Sequence, residues 1–151
     1  MKSVIIYASP HHGNTQRVVE RMAKRIGART VDILKEGPPD ISGYKLIGLA
    51  SGAYFGTLHE AIAAFAGEAA FTPDHRVFLA ATCGAGYKDH TYRVRKLLEE
   101  RGVACLGRYQ CRGYDTYGIF GKIGGIAKGH PNEHDLQMAE QFVQRMAKEA
   151  K

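Results

Sequence analysis

Ser9, His11, His12, Asn14 and Thr15 crowd two hydroxyls, two imidazoles and a carboxamide around Gly13 in one short stretch. Donors packed this closely suit an anion with several oxygens, such as a phosphate. The apolar run Val4-Ile5-Ile6-Tyr7-Ala8 stands just before the cluster, and helical spacing of apolar residues begins just after it. A strand therefore ends there and a helix starts. The free N–H groups of its first turn and the positive end of its dipole then converge on one spot. The same residues would also make an ordinary strand-to-helix turn with an Asn or Thr cap, so the anion reading needs support from elsewhere in the chain.

Two further stretches supply it. Ser51-Gly52-Ala53-Tyr54-Phe55-Gly56-Thr57 follows the apolar run from Tyr44 to Ala50, and Thr82-Cys83-Gly84-Ala85-Gly86-Tyr87-Lys88-Asp89-His90 follows the run from Val77 to Ala81. Both mix small residues, which let a ligand approach the backbone, with the aromatic Tyr54, Phe55 and Tyr87, whose flat faces can stack on a planar heterocycle. A single aromatic at a strand end is commonly just the rim of a core. Two such loops beside an anion turn favour a site for an aromatic ring carrying a phosphate tail.

Bringing three loops to one place requires a particular architecture. Val18, Val19, Met22, Ala23 and Ile26 recur at helical spacing, with Gly27 as the C-terminal cap. Arg29 to Ile33 reads as a short second strand, broken by Glu36-Gly37-Pro38-Pro39-Asp40. Thr57-Leu58-His59-Glu60 has the form of a capping box, which predicts a helix with Leu58, Ile62 and Phe65 inward. Val94, Leu97 and Leu98 mark another helix ended by Gly102, and Val103 to Gly113 reads as a fifth strand. Asn132 opens a last helix whose inner face is Leu136, Ala139, Phe142, Val143 and Met146.

Strands alternating with helices predict an α/β fold: a three-layer, doubly wound, five-stranded parallel sheet in the order 2-1-3-4-5. A length of 151 residues suits one domain spanning the whole chain. In such a sheet ligands bind beyond the carboxyl ends of the strands, where the winding reverses between the first and third. The loops after strands one, three and four then form one site.

The run from Tyr7 to Thr15, with its Gly13-Asn14-Thr15 ending, resembles the phosphate loop of the flavodoxin family. The resemblance extends over almost the whole chain and is closest to the short-chain, single-domain members. It implies a flavodoxin-like fold holding FMN. Ser9, His11, His12, Gly13, Asn14 and Thr15 would bind the phosphate; Tyr54 and Phe55 would supply one ring contact and Tyr87 the other. The backbones of Gly52, Ala53, Gly56, Cys83, Gly84, Ala85 and Gly86 would lie along the flavin edge, with Ser51, Thr82 and His90 completing the same loops. The implied function is electron transfer between a reductase and an acceptor, as a monomer or weak homodimer. The competing reading is an FMN-dependent reductase of quinone type that uses NAD(P)H. Tyr114, Asp115, Tyr117 and His90 are the residues nominated for its second substrate.

The chain departs from familiar flavodoxins in carrying Pro10-His11-His12 in the first loop, in having no tryptophan, and in a calculated pI near 9.3. The cations Lys88 and His90 beside the third loop are expected to make the last flavin reduction step less negative than in an acidic homologue. Residues 114–131, rich in glycine, should emerge at the same end of the sheet.

Composition narrows the remaining classes. Hydrophobic content of 44% argues against disorder. No apolar run nears the roughly 20 residues that cross a bilayer. Met1-Lys2-Ser3 leads into a strand rather than a signal-peptide core, so a cytoplasmic location is expected. Three cysteines without a C-x-x-C pair do not form a disulfide framework or structural zinc site. Cys105 and Cys111, about 20 Å apart on one strand, are expected to be buried free thiols. The net charge of +6 is concentrated between residues 76 and 128. Part of that excess reads as a solvated helix face, where Arg93, Arg95 and Lys96 lie near Glu99 and Glu100. With no recognised binding motif, nucleic acid is not an expected partner.

Overall fold

A computed structural model of the chain describes residues 1–10, 13–84, 88–114 and 125–151. His11, His12, Ala85, Gly86, Tyr87, Asp115 and Tyr117 lie outside the described residues, as do Gly118, Gly121 and Gly124 of the glycine-rich segment. The elements run β1 (Ser3–Ala8), α1 (Asn14–Ile26), β2 (Arg29–Asp32), α2 (Ile33–Glu36), β3 (Leu46–Tyr54), β4 (Thr57–Leu58), α3 (Glu60–Glu68), β5 (Arg76–Cys83), α4 (Tyr92–Glu100), β6 (Ala104–Arg112) and α5 (Glu133–Ala150).

The main sheet is parallel throughout, in the order β2-β1-β3-β5-β6, with β4 paired antiparallel to the end of β3. Setting β4 aside, this is the expected doubly wound order. Side-chain alternation along the strands divides the core in two. Val4, Ile6, Ile47, Leu49, Val77 and Leu79 pack with α3 and α4, while Ile5, Tyr7, Leu46, Ala50, Phe78 and Ala80 pack with α1 and α5. With both faces covered, β1 and β5 are nearly continuous apolar runs, which is why they were conspicuous in the sequence.

The helix ends follow their capping residues. Gly27, at φ 69°, closes α1 with its N–H on the Ala23 carbonyl. Asn132 and Asp135 form a reciprocal capping box at the start of α5. Arg21 on α1 pairs with both Glu133 and Glu140 on α5, which ties these two helices across the back of the sheet.

Several boundaries differ from the sequence reading. β2 stops at Asp32 because its carboxylate accepts from the Leu34 N–H and starts α2, a helix the sequence reading did not include. β3 continues to Tyr54, since antiparallel pairing with Thr57 and Leu58 extends it through small residues of low strand preference. Thr57 therefore belongs to β4 and is not a helix cap. His59 caps α3 instead, its Nδ1 accepting from the Ala61 N–H at 3.0 Å. Cys83 and Cys111 are buried free thiols, while Cys105 is only half-buried on edge strand β6. Burial, reinforced by the Asp135 charge, pushes the Cys111 thiol up to about 12.

Candidate functional site

The carboxyl ends of β1, β3 and β5 bring the three loops to one edge of the sheet, as register requires. Ala8 pairs with Ser51, Ser51 with Ala81, and Gly52 with Thr82. At the first loop Gly13 is the residue preceding α1, in the left-handed region at φ 66°. Ser9 reaches forward from the end of β1 to accept the Gln16 N–H at 3.2 Å. That bond uses an acceptor lone pair of Ser9 and leaves its O–H able to donate to a ligand. Helix geometry leaves the N–H groups of Asn14 and Thr15 without intrahelical acceptors, pointing out of the same end. Among the described residues, the donors this turn offers an anion are these backbone amides and the Ser9 hydroxyl.

Two side chains expected to hold phosphate are engaged in holding the loops together. Thr15, buried, shares a 2.9 Å hydrogen bond between its hydroxyl and that of Thr82, joining the first turn of α1 to the end of β5. Asn14 donates its carboxamide N–H to the Tyr114 carbonyl at 2.8 Å, which ties the same turn to the chain leaving β6. Gly113 permits this contact: a Cβ there would lie 2.7 Å from Asn14 Nδ2 and 3.1 Å from its Cβ. Gly113 is itself bound through its N–H to the Cys83 carbonyl, and Tyr114 through its N–H to the His130 carbonyl.

At the second loop Ser51 is fully buried. Its hydroxyl donates to the Gly52 carbonyl at 2.7 Å and accepts the His59 N–H at 2.8 Å, which braces the hairpin. The hairpin turns on Phe55 and Gly56, both at positive φ, 53° and 82°. This mirror-image two-residue turn suits glycine and strains phenylalanine by about 1–2 kcal/mol. The ring so held is 91% exposed. Tyr54 sits edge-on to His59, with Gly52 lying beneath its ring. A bulky aromatic at a strained, exposed tip is a feature that folding alone does not call for.

Thr57 adds an observation the sequence reading missed. Its hydroxyl is sealed from solvent and has no hydrogen-bond partner among the described residues. Leaving a buried hydroxyl unmet costs about 1–3 kcal/mol. A ligand with hydrogen-bonding edges seated against the second loop would meet that deficit. Assigning Thr57 to a cap had hidden it, because only the hairpin pairing moves the residue into a strand.

The third loop is gripped from β6. Beyond the irregularity in register at Phe78, Arg108, Gln110 and Arg112 alternate onto one face of that edge strand. Arg112 donates from Nε and Nη2 to the Gly84 carbonyl, at 2.9 and 2.6 Å. Gln110 donates to the Lys88 carbonyl and accepts the His90 N–H, while Arg108 approaches Asp89 at 3.4 Å. Burial pushes the Asp89 carboxyl upward, but bonds from Thr91 and Arg95 and the Arg108 charge outweigh it and hold the group below the usual carboxylate range. His90 is buried behind the loop, held through its backbone on β6. The alternation of three long polar side chains along Val103 to Gly113 was the visible signal for this grip, but in sequence it reads as a solvent-facing edge.

The first and third loops are thus cross-linked and the second is braced from within. First-turn amides without an acceptor among the described residues and an exposed aromatic hairpin share this edge of the sheet. Such preorganisation suits a rigid ligand with an anionic end. Among the described residues no cluster of His, Cys, Asp or Glu could hold a metal ion, and no helix is long and apolar enough to cross a membrane.

A family model described as a flavodoxin domain matches residues 4–123. An uncharacterised protein of Methanocaldococcus jannaschii is 37% identical over 150 residues, covering 98% of this chain and 99% of its own. Among solved structures, oxidised flavodoxin 2 from Bacillus cereus aligns over 99% of both chains with a TM-score of 0.73 and 16% identity. A short-chain flavodoxin associated with a bacterial microcompartment aligns over 100% of both chains with a TM-score of 0.72 and 12% identity.

Proposed function

The chain belongs to the flavodoxin family, and we propose that it binds FMN non-covalently at this edge and carries electrons between a reductase and an acceptor. The observation that supports the reading is that an anion-receptive helix mouth, the strained and exposed hairpin, and a Thr57 hydroxyl without a partner among the described residues share one edge of the sheet. Ser9 and the amides of Gly13, Asn14 and Thr15, with His11 and His12, would hold the phosphate. Tyr54, Phe55 and Tyr87 would contact the ring, and the backbones of Gly52, Ala53, Gly56, Cys83, Gly84, Ala85 and Gly86 would run along its edge. Bound FMN would supply one- and two-electron redox chemistry. The residues of this chain hold it, shield it and set the charge around it; none is needed as an acid or base.

Lys88 and Arg112 bring cationic charge to the third loop and favour a more reduced, more negative cofactor. A less negative final potential than that of an acidic flavodoxin is the expected consequence. His90, included in this site from the sequence, would act through the loop backbone, given its burial. Of the residues nominated for a second substrate, Tyr114 is bound through both backbone groups and Asp115 and Tyr117 lie outside the described residues.

The direct test is purification followed by titration. The protein should be yellow or, stripped of cofactor, should quench FMN fluorescence at micromolar concentrations. With FMN bound it should oxidise NADH or NADPH negligibly in the absence of a separate reductase. A colourless protein that does not quench FMN would refute the cofactor, and rapid turnover with NAD(P)H alone would refute the carrier.

Thr57→Val separates a ligand-facing hydroxyl from a structural one. Valine keeps the shape of the side chain and removes the unmet polar group. The cofactor-free variant should therefore be about 1 kcal/mol more stable in denaturant, while its FMN affinity should fall about five- to tenfold. Loss of stability together with affinity would mean that the hydroxyl serves the fold.

A further inference from the structure

The corner where the ends of β5 and β6 meet the β3–β4 hairpin carries charge that holding a cofactor does not explain. Arg93 pairs with Glu60, and Arg95 and Arg108 both converge on Asp89. Arg95 also meets Glu99 at 3.7 Å, so these three arginines are matched by three carboxylates. Lys88 and Arg112 are both exposed and have no carboxylate partner among the described residues. The Gly84 carbonyl accepts from Arg112 without cancelling its charge. Lys88 lies against the hairpin turn: a Cβ on Gly56 would come within 2.6 Å of its Nζ. Lys88 thus brings an ammonium group to the same two-residue turn that carries the exposed Phe55.

An exposed aromatic with an unbalanced charged margin has the make-up of a transient docking surface. Charge of one sign at such a margin selects partners of the opposite sign and accelerates their encounter. We propose that this corner is the docking face for a redox protein whose own contact surface is acidic. The inference rests on the carrier reading above and adds to it the polarity of the partner. The electropositive margin adjoins the loops nominated for the flavin ring, so an acidic partner drawn to it would dock beside the cofactor. FMN held there would supply the one-electron chemistry of the exchange, while Lys88 and Arg112 would draw and orient the acidic partner.

The test uses the FMN-loaded protein, photoreduced and mixed in stopped flow with oxidised cytochrome b5, which is acidic, or with cytochrome c, which is basic. Haem reduction of cytochrome b5 should slow about tenfold or more between about 20 and 500 mM salt, whereas that of cytochrome c should stay level or quicken. Lys88→Glu should flatten the salt slope for cytochrome b5, and the slope rather than the absolute rate is the readout. Independently, amide resonances at Phe55, Lys88 and Arg112 should shift on adding cytochrome b5 at low salt. A cytochrome c preference at low salt, a salt-independent rate with cytochrome b5, or shifts on another face would overturn the proposal. If the chain binds no FMN, the carrier reading fails in the titration, and the resonance map still decides the docking face.

Discussion

Ser9→Asp is expected to lower FMN affinity at least about 100-fold while leaving riboflavin affinity nearly unchanged. The wild-type hydroxyl oxygen accepts the Gln16 N–H at 3.2 Å, and an aspartate carboxylate can take over that bond. A negative group at a helix N-terminus is also favoured by the dipole, so the fold should hold or gain slightly. The same carboxylate would sit where the phosphate is proposed to bind. Two unit charges about 4 Å apart at an effective dielectric near 20 repel by about 4 kcal/mol. Even two-thirds of that is close to a 100-fold change in dissociation constant. Riboflavin carries the same ring without the phosphate and has nothing to be repelled. Fluorescence titration of the cofactor-free variant with each ligand reads the difference. An equal loss for both would point to a damaged loop, and no loss for either would place the phosphate elsewhere.

That prediction concerns the part of the site most legible in the sequence. The first loop could be read because its determinants are local: an apolar run, a cluster of donors and a helix follow each other without a gap. The strand order was legible for a related reason. β1, β3 and β5 are covered on both faces and so stand out as apolar runs, and right-handed crossovers leave few ways to connect them. What escaped notice depends on partners far apart in the chain. The side chains of Asn14 and Thr15 also act as cross-links, which the sequence did not show because Tyr114 and Thr82 meet them only in the fold. Ser51 likewise fastens the hairpin through its bond from His59, eight residues on.

The grip of Arg108, Gln110 and Arg112 on the third loop shows the limit most clearly. In isolation the three residues read as the wet face of an edge strand. Their function appears only when β6 lies beside β5 and the loop folds over it. Thr57 was misplaced because hydroxyl-x-x-glutamate spacing is a sound capping signal in the absence of a competing pairing. Here antiparallel pairing of Thr57 with Tyr54 outweighs it, and His59 takes the cap.

Gly48→Ala carries the second large expectation, a loss of about 3 kcal/mol in folding stability. In sequence Gly48 interrupts an apolar strand with no evident purpose. In the sheet it pairs directly with Phe78 on the neighbouring strand and faces the core beneath α1 and α5. A Cβ at this position would stand 2.4 Å from Cζ of the Phe78 ring and 2.8 Å from Cε2. The ring cannot swing clear easily, because it is fully buried and packed edge-on against Phe142 with centroids 5.8 Å apart. Overfilling a core usually costs about 1–3 kcal/mol, and a clash between rigid groups on two central strands belongs at the upper end. For a chain of this size that lowers the melting temperature by about 6–12 °C. Chemical denaturation of the cofactor-free protein measures the loss without contribution from bound FMN. Phe78→Leu supplies the control: alone it opens space and destabilises, but combined with Gly48→Ala it removes much of the clash. The double variant should therefore lose at least about 1 kcal/mol less than the two single losses together. Strict additivity would mean that the new methyl and the ring do not meet, and that Gly48 owes its place to something other than the room it leaves for Phe78.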